Sequence, residues 1–381
     1  VDFALDGKMV SGGIGSHTPL TVDVRGDLVC QGGFFSDNLN LGTDVSLSIS
    51  GMGGYLYCEN SDGEFGTAFA SDTSNAATVQ DLKILSETEI AVIGTFRDGV
   101  ITGSFVSILD ISSGISSPFS SQSTVINHCV KDNLRQIELL KIDGTSSGQF
   151  IVGTVRNHGT GANTLCESST SSTNSSGDTI HYTAAGSNEN ESKDTSSHKS
   201  FLIDYSSNDI QEITLESTPT VHFTSVEYFD STTAYISYYM SERGACDESY
   251  YNEAGYYKWE KGATPDSSTL TPETSTCGEH LKFRDITESG NSVFLIGDAS
   301  ELKSSDCVAT HDCSGFGGLD VVVFSASATG GSGVLLGGKL LDYGFSIEAY
   351  GSELIIGGSF ETSTTSFGLS ATDEEDGFVA S

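Results

Sequence analysis

Positive charge is what this sequence has least of. Seventeen Lys and Arg stand against 52 Asp and Glu, a formal net charge of −35 over 381 residues. Such a surface repels nucleic-acid phosphates and anionic membranes. Neither nucleic acid nor membrane insertion is therefore expected. No apolar run approaches the roughly 18 residues that a membrane-crossing helix needs. Proline is scarce, 5 residues, which excludes a proline-rich linker, and Trp259 is the single tryptophan. No stretch rich in Ala, Glu, Lys and Leu predicts a long helix. The chain starts without an initiator Met or signal peptide, so it reads as a mature product or an excerpt of a longer one.

Familiar catalytic signatures are missing too: no G-x-S-x-G elbow, phosphate loop or H-E-x-x-H helix is present. The calcium loop D-x-D-x-D-G is also absent. A general acid and its partner for glycoside hydrolysis cannot be picked from 52 carboxylates. No catalytic residue is assigned on these grounds.

The rest of the composition is informative. Gly is abundant at 44, and short β-branched and aromatic runs alternate with Gly/Ser/Asp/Asn clusters. That is the composition of an all-β protein. Six strand pairs align: "PLTVDVRGDLVCQGGFF", "VQDLKILSETEIAVIGTF", "QIELLKIDGTSSGQFIVGTV", "FTSVEYFDSTTAYISYY", "FRDITESGNSVFLIGDA" and "FSIEAYGSELIIGGSF". Their second strands share a small residue: Gly32, Gly94, Gly153, Ser237, Gly297 and Gly358, which are 62, 59, 84, 60 and 61 residues apart. A third strand follows each pair ("GYLYCENS", "SFVSILDIS", "SFLIDYS", "GYYKWEKG", "LDVVVFSAS", "GFVAS"), then a weaker fourth. Four strands in about 60 residues, six times over, predict a six-bladed β-propeller.

The predicted blades are 16–78, 79–134, 135–220, 221–280, 281–342, and 343–381 plus 1–15. The last is shared between the two ends, because "DGFVAS" runs into "VDFALDGKMV" as one strand pattern and closes the ring. The residues "GSELIIGGSF…TSFG…DGFVAS" followed by "VDFALDGKMV" resemble bacterial-type β-propeller repeats, with a Gly-aromatic strand end and an Asp-Gly-Phe strand start. The resemblance implies the fold and no activity, since propellers host unrelated functions.

Eight cysteines, an even number, fit four disulfides and an extracellular, secreted or cell-surface setting. They also argue against a halophile's cytosol, which would select the same acidic bias. Pairing each cysteine with its next neighbour is consistent with the predicted topology: Cys30 with Cys58 across a ladder, Cys129 with Cys166, Cys246 with Cys277, and Cys307 with Cys313. The last pair, in "CVATHDC", reads as a small disulfide loop rather than a zinc site, for want of a second ligand pair. The polar segment 166–200 carries two glycosylation acceptors, Asn174 and Asn190. The long connections, 156–199, 240–254 and 300–318, all fall on one predicted face, where insertions often serve binding.

Three groupings are candidate ligand sites. One acid recurs on each predicted innermost strand: Asp23, Asp81, Glu138, Glu227, Asp285 and Glu348. Converging on a channel, these would hold a hard cation such as Ca2+; spread over different depths, they would simply be solvated. Arg97, Arg156 and Arg243 follow second strands of consecutive blades and would face one anionic ligand, as sialidase propellers arrange theirs. The sialidase Asp-box is absent. The aromatics of "CDESYYNEAGYYKWE", Trp259 among them, would stack on sugar or pack the fourth blade's core.

The expected function is a secreted, non-enzymatic structural or adhesive module of an extracellular matrix, cell-surface appendage or filament. Its partners would be other extracellular proteins or copies of itself, and glycans are a further class. The alternatives are a carbohydrate-active enzyme, hydrolase or lyase, and a lectin-like glycan binder.

Overall fold

The computed structural model describes residues 17–41, 45–60, 63–69, 77–98, 101–112, 114, 123–126, 135–157, 179–180, 198–204, 209–211, 221–240, 246, 251–260, 272–290, 292–303, 305, 315–327, 330–350, 353–360 and 376–380. Among them there is no α-helix, and six sheets, antiparallel apart from one two-residue strand, hold the strands. The first is β1 (His17–Arg25), β2 (Leu28–Leu41), β3 (Val45–Asn60) and β4 (Gly63–Phe69). The second is β5 (Ala77–Ser86), β6 (Glu89–Asp98), β7 (Ile101–Asp110) and β8 (Ser123–Ile126). β9 (Arg135–Thr145) and β10 (Gly148–Asn157) begin the third; the short β11 (Thr179–Ile180) lies parallel to β8. β12 (His198–Asp204) and β13 (Asp209–Gln211) complete the third sheet.

The fourth sheet is β14 (Val221–Asp230), β15 (Thr233–Met240), β16 (Tyr251–Glu260) and β17 (Pro272–Glu279). β18 (Lys282–Ser289) and β19 (Ser292–Ala299) start the fifth, after which the two-residue β20 (Glu301–Leu302) pairs back to β17. β21 (Asp320–Ser327) and β22 (Gly330–Leu336) complete it. The sixth is β23 (Asp342–Tyr350), β24 (Glu353–Phe360) and β25 (Asp376–Ala380). The six strand pairs of the sequence repeat are thus the first two strands of the six sheets. The third strands are as expected, except that β3 begins at Val45 rather than Gly54.

The chain divides into two compact units. Unit 1 is 1–197 with 203–210, and unit 2 is 198–202 with 211–381. In unit 1, apolar faces of the first two sheets share a core that includes Leu28, Leu56, Val79, Leu82, Ile84, Val92 and Phe105. Each fully buried side chain of this size contributes roughly 1.5–3 kcal/mol. The long β2–β3 hairpin adds its own cluster, Phe35, Leu39, Leu41, Leu47, Tyr55 and Tyr57. The alternating "LNL…VSLSI" on its two arms is the period-2 pattern that dictates it. In unit 2 the core includes Tyr256, Phe283, Leu295, Val322, Phe324 and Leu335, and Ile347 and Ile356 of the sixth sheet pack on Ile296 and Val321.

One irregularity recurs in all six leading hairpins. The register slips by one residue, leaving Leu20, Gln80, Leu140, Thr224, Arg284 and Phe345 as bulge residues. This explains the aligned small residues of the sequence. A Cβ on Gly94 would stand 2.1 Å from the Thr78 carbonyl oxygen, and one on Gly297 1.9 Å from that of Lys282. At these two positions the bulge pushes backbone toward the facing strand, and only hydrogen fits there. Where Ser237 takes the place, its hydroxyl hydrogen-bonds with that of Thr224 at 2.8 Å.

Candidate binding face and carboxylate ladders

The bulge fixes a common register: the first residue after it is Thr21, Asp81, Lys141, Ser225, Asp285 or Ser346. In unit 1 these residues are linked from sheet to sheet. Thr21 Oγ1 donates to Asp81 Oδ1 at 2.6 Å, and the Ile142 backbone N–H donates to Asp81 Oδ2 at 2.9 Å. Lys141 Nζ stands 3.8 Å from Asp81 Oδ1. Two residues further along, the Ile84 N–H donates to Asp23 Oδ2 at 2.6 Å. Lys83 lies between Asp23 (3.8 Å) and Asp143 (3.0 Å). Unit 2 repeats the first rung: Ser225 Oγ donates to Asp285 Oδ1 at 2.6 Å and the Ile347 N–H to Asp285 Oδ2 at 3.1 Å.

The donors and acceptors of these bonds are 60 to 62 residues apart. The sequence period is therefore a hydrogen-bond period. A buried carboxylate needs donors, and each of these acids finds one on the first strand of a neighbouring sheet. Burial nonetheless pushes Asp23 above the usual carboxylate range, against the pull of Lys83 and the Ile84 N–H.

Of the two arrangements open for the six acids, the registers give the spread one. Asp81 and Asp285 follow the bulge directly, while Asp23, Glu227 and Glu348 lie two residues beyond that position. Glu138 precedes its bulge and pairs with Thr154. Hydrogen bonds across sheets, a use the sequence did not suggest, occupy both oxygens of Asp81 and Asp285. Among the described residues, no three His, Cys, Asp or Glu side chains converge as a metal would require.

Among the described residues there are two disulfides. Cys30 and Cys58 are register partners on β2 and β3, with their Cα atoms 4.1 Å apart. Cys246 is bonded to Cys277 on β17. Cys129, Cys166, Cys307, Cys313, Asn174, Asn190 and Arg243 lie outside the described residues, as do the side chains of Arg97 and Arg156 and the proposed closing segment 1–15. Trp259 is 2% exposed, Tyr256 and Tyr257 are buried as well, and Tyr238 stacks on Tyr257 at 4.3 Å. The aromatics of that segment pack the fourth sheet instead of facing a ligand. Burial pushes the Tyr238 and Tyr257 hydroxyls well above the ordinary phenol range.

A different aromatic group stands at the surface of unit 2, where β14, β18 and β23 begin and β15 and β19 end. His222 stacks on Tyr239, 4.7 Å between ring centres. Lys282 Nζ lies 5.1 Å over the Tyr239 ring. Arg284, two residues on, lies 5.6 Å from the Tyr343 ring and 5.5 Å from that of Phe345. Those two rings are nearly parallel, 6.0 Å apart. Arg284 Nε donates to Asp298, and burial raises the Asp298 pKa more than the arginine lowers it. Among the described residues, the terminal nitrogens of Arg284 make no hydrogen bond. Phe345 is 45% exposed.

The sequence reading missed this row. Its signal was alternation into the bulge, "LKFRD" and "DYGFS": Lys282 and Tyr343 are register equivalents, and Arg284 and Phe345 are the bulge residues of their strands.

No family model matches the sequence, and no curated protein matches it. Among solved structures, a polysaccharide lyase of family PL25, an ulvan lyase, superposes with a TM-score of 0.47 at 7% identity, over 90% of this chain and 76% of its own. A prolyl endopeptidase gives 0.40 at 10% identity, over 92% of this chain and 40% of its own. Likeness at this level transfers no activity.

Proposed function

We propose that the six sheets are the blades of one six-bladed β-propeller that works outside the cell as a non-enzymatic adhesive module, gripping its partner with the His222–Phe345 row. The single observation that carries the functional reading is that row: two cations and an exposed stacked aromatic pair on a chain otherwise dominated by acids. Exposed aromatics beside arginine are the usual anchors of a binding surface. The extracellular setting draws support from the two disulfides. Among the described residues no helix is long and apolar enough to cross a membrane.

The fold reading draws support from the common bulge and from the 60-residue hydrogen bonds. In a closed ring Ser346 would meet Thr21, as Ser225 meets Asp285, with residues 1–15 finishing the sixth sheet. Val22 and Val24, now 61% and 46% exposed, would be covered. The double variant Thr21→Cys/Ser346→Cys should then form an intramolecular disulfide, read by mass spectrometry after digestion. Disulfide-linked dimers, or no bond, would sink closure within one chain.

Adhesion is tested by retention of the chain on immobilised extracellular-matrix extract. Arg284→Ala/Phe345→Ala should abolish retention. Unchanged retention, or depolymerisation of matrix polysaccharide by the wild type, would overturn the reading.

A further inference from the structure

We infer that the row on unit 2 is a subsite for an acidic saccharide chain, one bearing carboxylate or sulfate groups. The inference rests on the adhesive reading of the same row and adds the ligand's chemistry. Two requirements of such a ligand meet here. The first is an aromatic face. Pyranose rings present a C–H-rich side that lies flat on an aromatic ring, and Phe345, 45% exposed beside Tyr343, offers one. The second is a fixed cation at the edge of that face. Arg284 is held by Asp298 through Nε and by the two rings, which leaves its two terminal nitrogens as a fork without a hydrogen bond among the described residues. A guanidinium fork matches carboxylate or sulfate geometry in a way that a lysine ammonium does not.

The remaining members extend the same pattern to the next sheet. Lys282 stands two residues before Arg284 on β18, over Tyr239, which stacks on His222. Cation and ring thus alternate across three neighbouring inner strands, β14, β18 and β23. With sheets packed about 10 Å apart, the row spans roughly two such steps, a length suited to several sugar rings rather than one. Charge selects among ligands as well. At −35 overall, the protein repels polyanions nearly everywhere, so an anionic chain is drawn to this row in one place and one register. A neutral glycan would gain the stacking and nothing from the cations.

Isothermal titration of the full chain tests this. The probes are a sulfated uronate octasaccharide, the same octasaccharide desulfated and carboxyl-reduced, and a polyglutamate peptide of equal charge. The acidic octasaccharide should bind at least about tenfold more tightly than its neutral counterpart, with an affinity that falls as salt rises. Arg284→Ala and Phe345→Ala should each weaken it by about tenfold or more, and Arg284→Lys should recover only part of the loss. Lys258→Ala, far along the fourth sheet, should change nothing.

Equal binding of the neutral sugar would overturn the role of the cations. Equal binding of polyglutamate would overturn the role of the sugar ring. If no octasaccharide binds while the double variant still loses its hold on matrix extract, the saccharide is wrong and adhesion stands. If retention is also unchanged, both fall.

Discussion

Equivalent positions carry different chemistry in the two units. At the first and third residues after the bulge, unit 1 has Thr21, Asp81 and Lys141, then Asp23, Lys83 and Asp143, and these bond sheet to sheet. Unit 2 has Ser225, Asp285 and Ser346, then Glu227, Thr287 and Glu348, and keeps the neutral rung through Asp285. Just before and at the bulge the contrast reverses. Unit 1 has Thr18, Thr78 and Glu138 with Leu20, Gln80 and Leu140. Unit 2 has His222, Lys282 and Tyr343 with Thr224, Arg284 and Phe345. One repeat therefore serves two purposes: in unit 1 its cations lie between sheets, and in unit 2 they lie at the strand ends. The same bulge supplies both, because it frees one side chain from the ladder and re-aims the next.

The largest effect should come from cutting that rung in each unit. Asp81→Ala leaves the Ile142 N–H, the Thr21 hydroxyl and the Lys141 ammonium without their acceptor. Removing one member of a buried charged network typically costs about 3–5 kcal/mol. Asp285→Ala removes the acceptor of the Ser225 hydroxyl and of the Ile347 N–H, at about 1–3 kcal/mol each when unmet and less once water enters. Urea unfolding of the two variants should rank Asp81→Ala as the more damaging by at least about 1 kcal/mol. Equal losses would show that the lysine contributes nothing and that the two rungs are alike.

The second test separates the units by pH. Asp320 at the start of β21 is fully buried; its Oδ2 accepts the Phe316 N–H at 2.8 Å, and Gly337 packs against it and Asp342. Burial, with the nearby Asp342 charge adding to it, pushes the Asp320 pKa up to about 6 from 3.8. A raised carboxyl pKa means that the folded state holds a proton which the unfolded chain has released. The stabilisation is complete below about pH 4 and is lost as pH rises through about 6. Thermal scans of wild type and Asp320→Asn should show the wild type's advantage shrinking across that window and flat above it. A difference that stays constant with pH would remove the shared acid environment from the account.

Much of the architecture was legible in the sequence because it rests on period and turn chemistry, which are local. The six strand pairs, the third strands and the Cys30–Cys58 pairing all follow from alternation and spacing. The small residue at each second strand was legible as a mark, but not its cause: a bulge is a slip between two strands, and no single strand records it. The same blindness left the depth of the acids open. Asp23 and Asp81 look equivalent when each is simply the acid of its strand, yet the bulge sets them two residues apart in depth, and their partners lie about 60 residues away. The exposed aromatics were overlooked for a related reason. "GYYKWE" is denser in rings than "DYGFS", but density marks a core as readily as a surface, and only burial separates Trp259 from Phe345.

The smallest expected effect is on the stability of unit 2 when its displayed Phe345 ring is removed. Phe345 is nearly half exposed, and Arg284 is linked to the fold through Asp298 and two ring faces. Neither belongs to the core formed by Ile296, Val321, Ile347 and Ile356. Surface substitutions of this kind fall within about 0.5 kcal/mol, and an exposed cation–π contact adds about 0.5–1 kcal/mol. Phe345→Ala should therefore unfold in urea at nearly the wild-type midpoint; Arg284→Ala also takes a donor from the buried Asp298 carboxylate and should cost about 1–3 kcal/mol. Leu82→Ala on the buried face of unit 1 makes the useful contrast, at about 2–5 kcal/mol. A costly Phe345→Ala would place that ring in the structural economy of the sheet, and the division between a unit that binds inward and one that presents outward would then have to be redrawn.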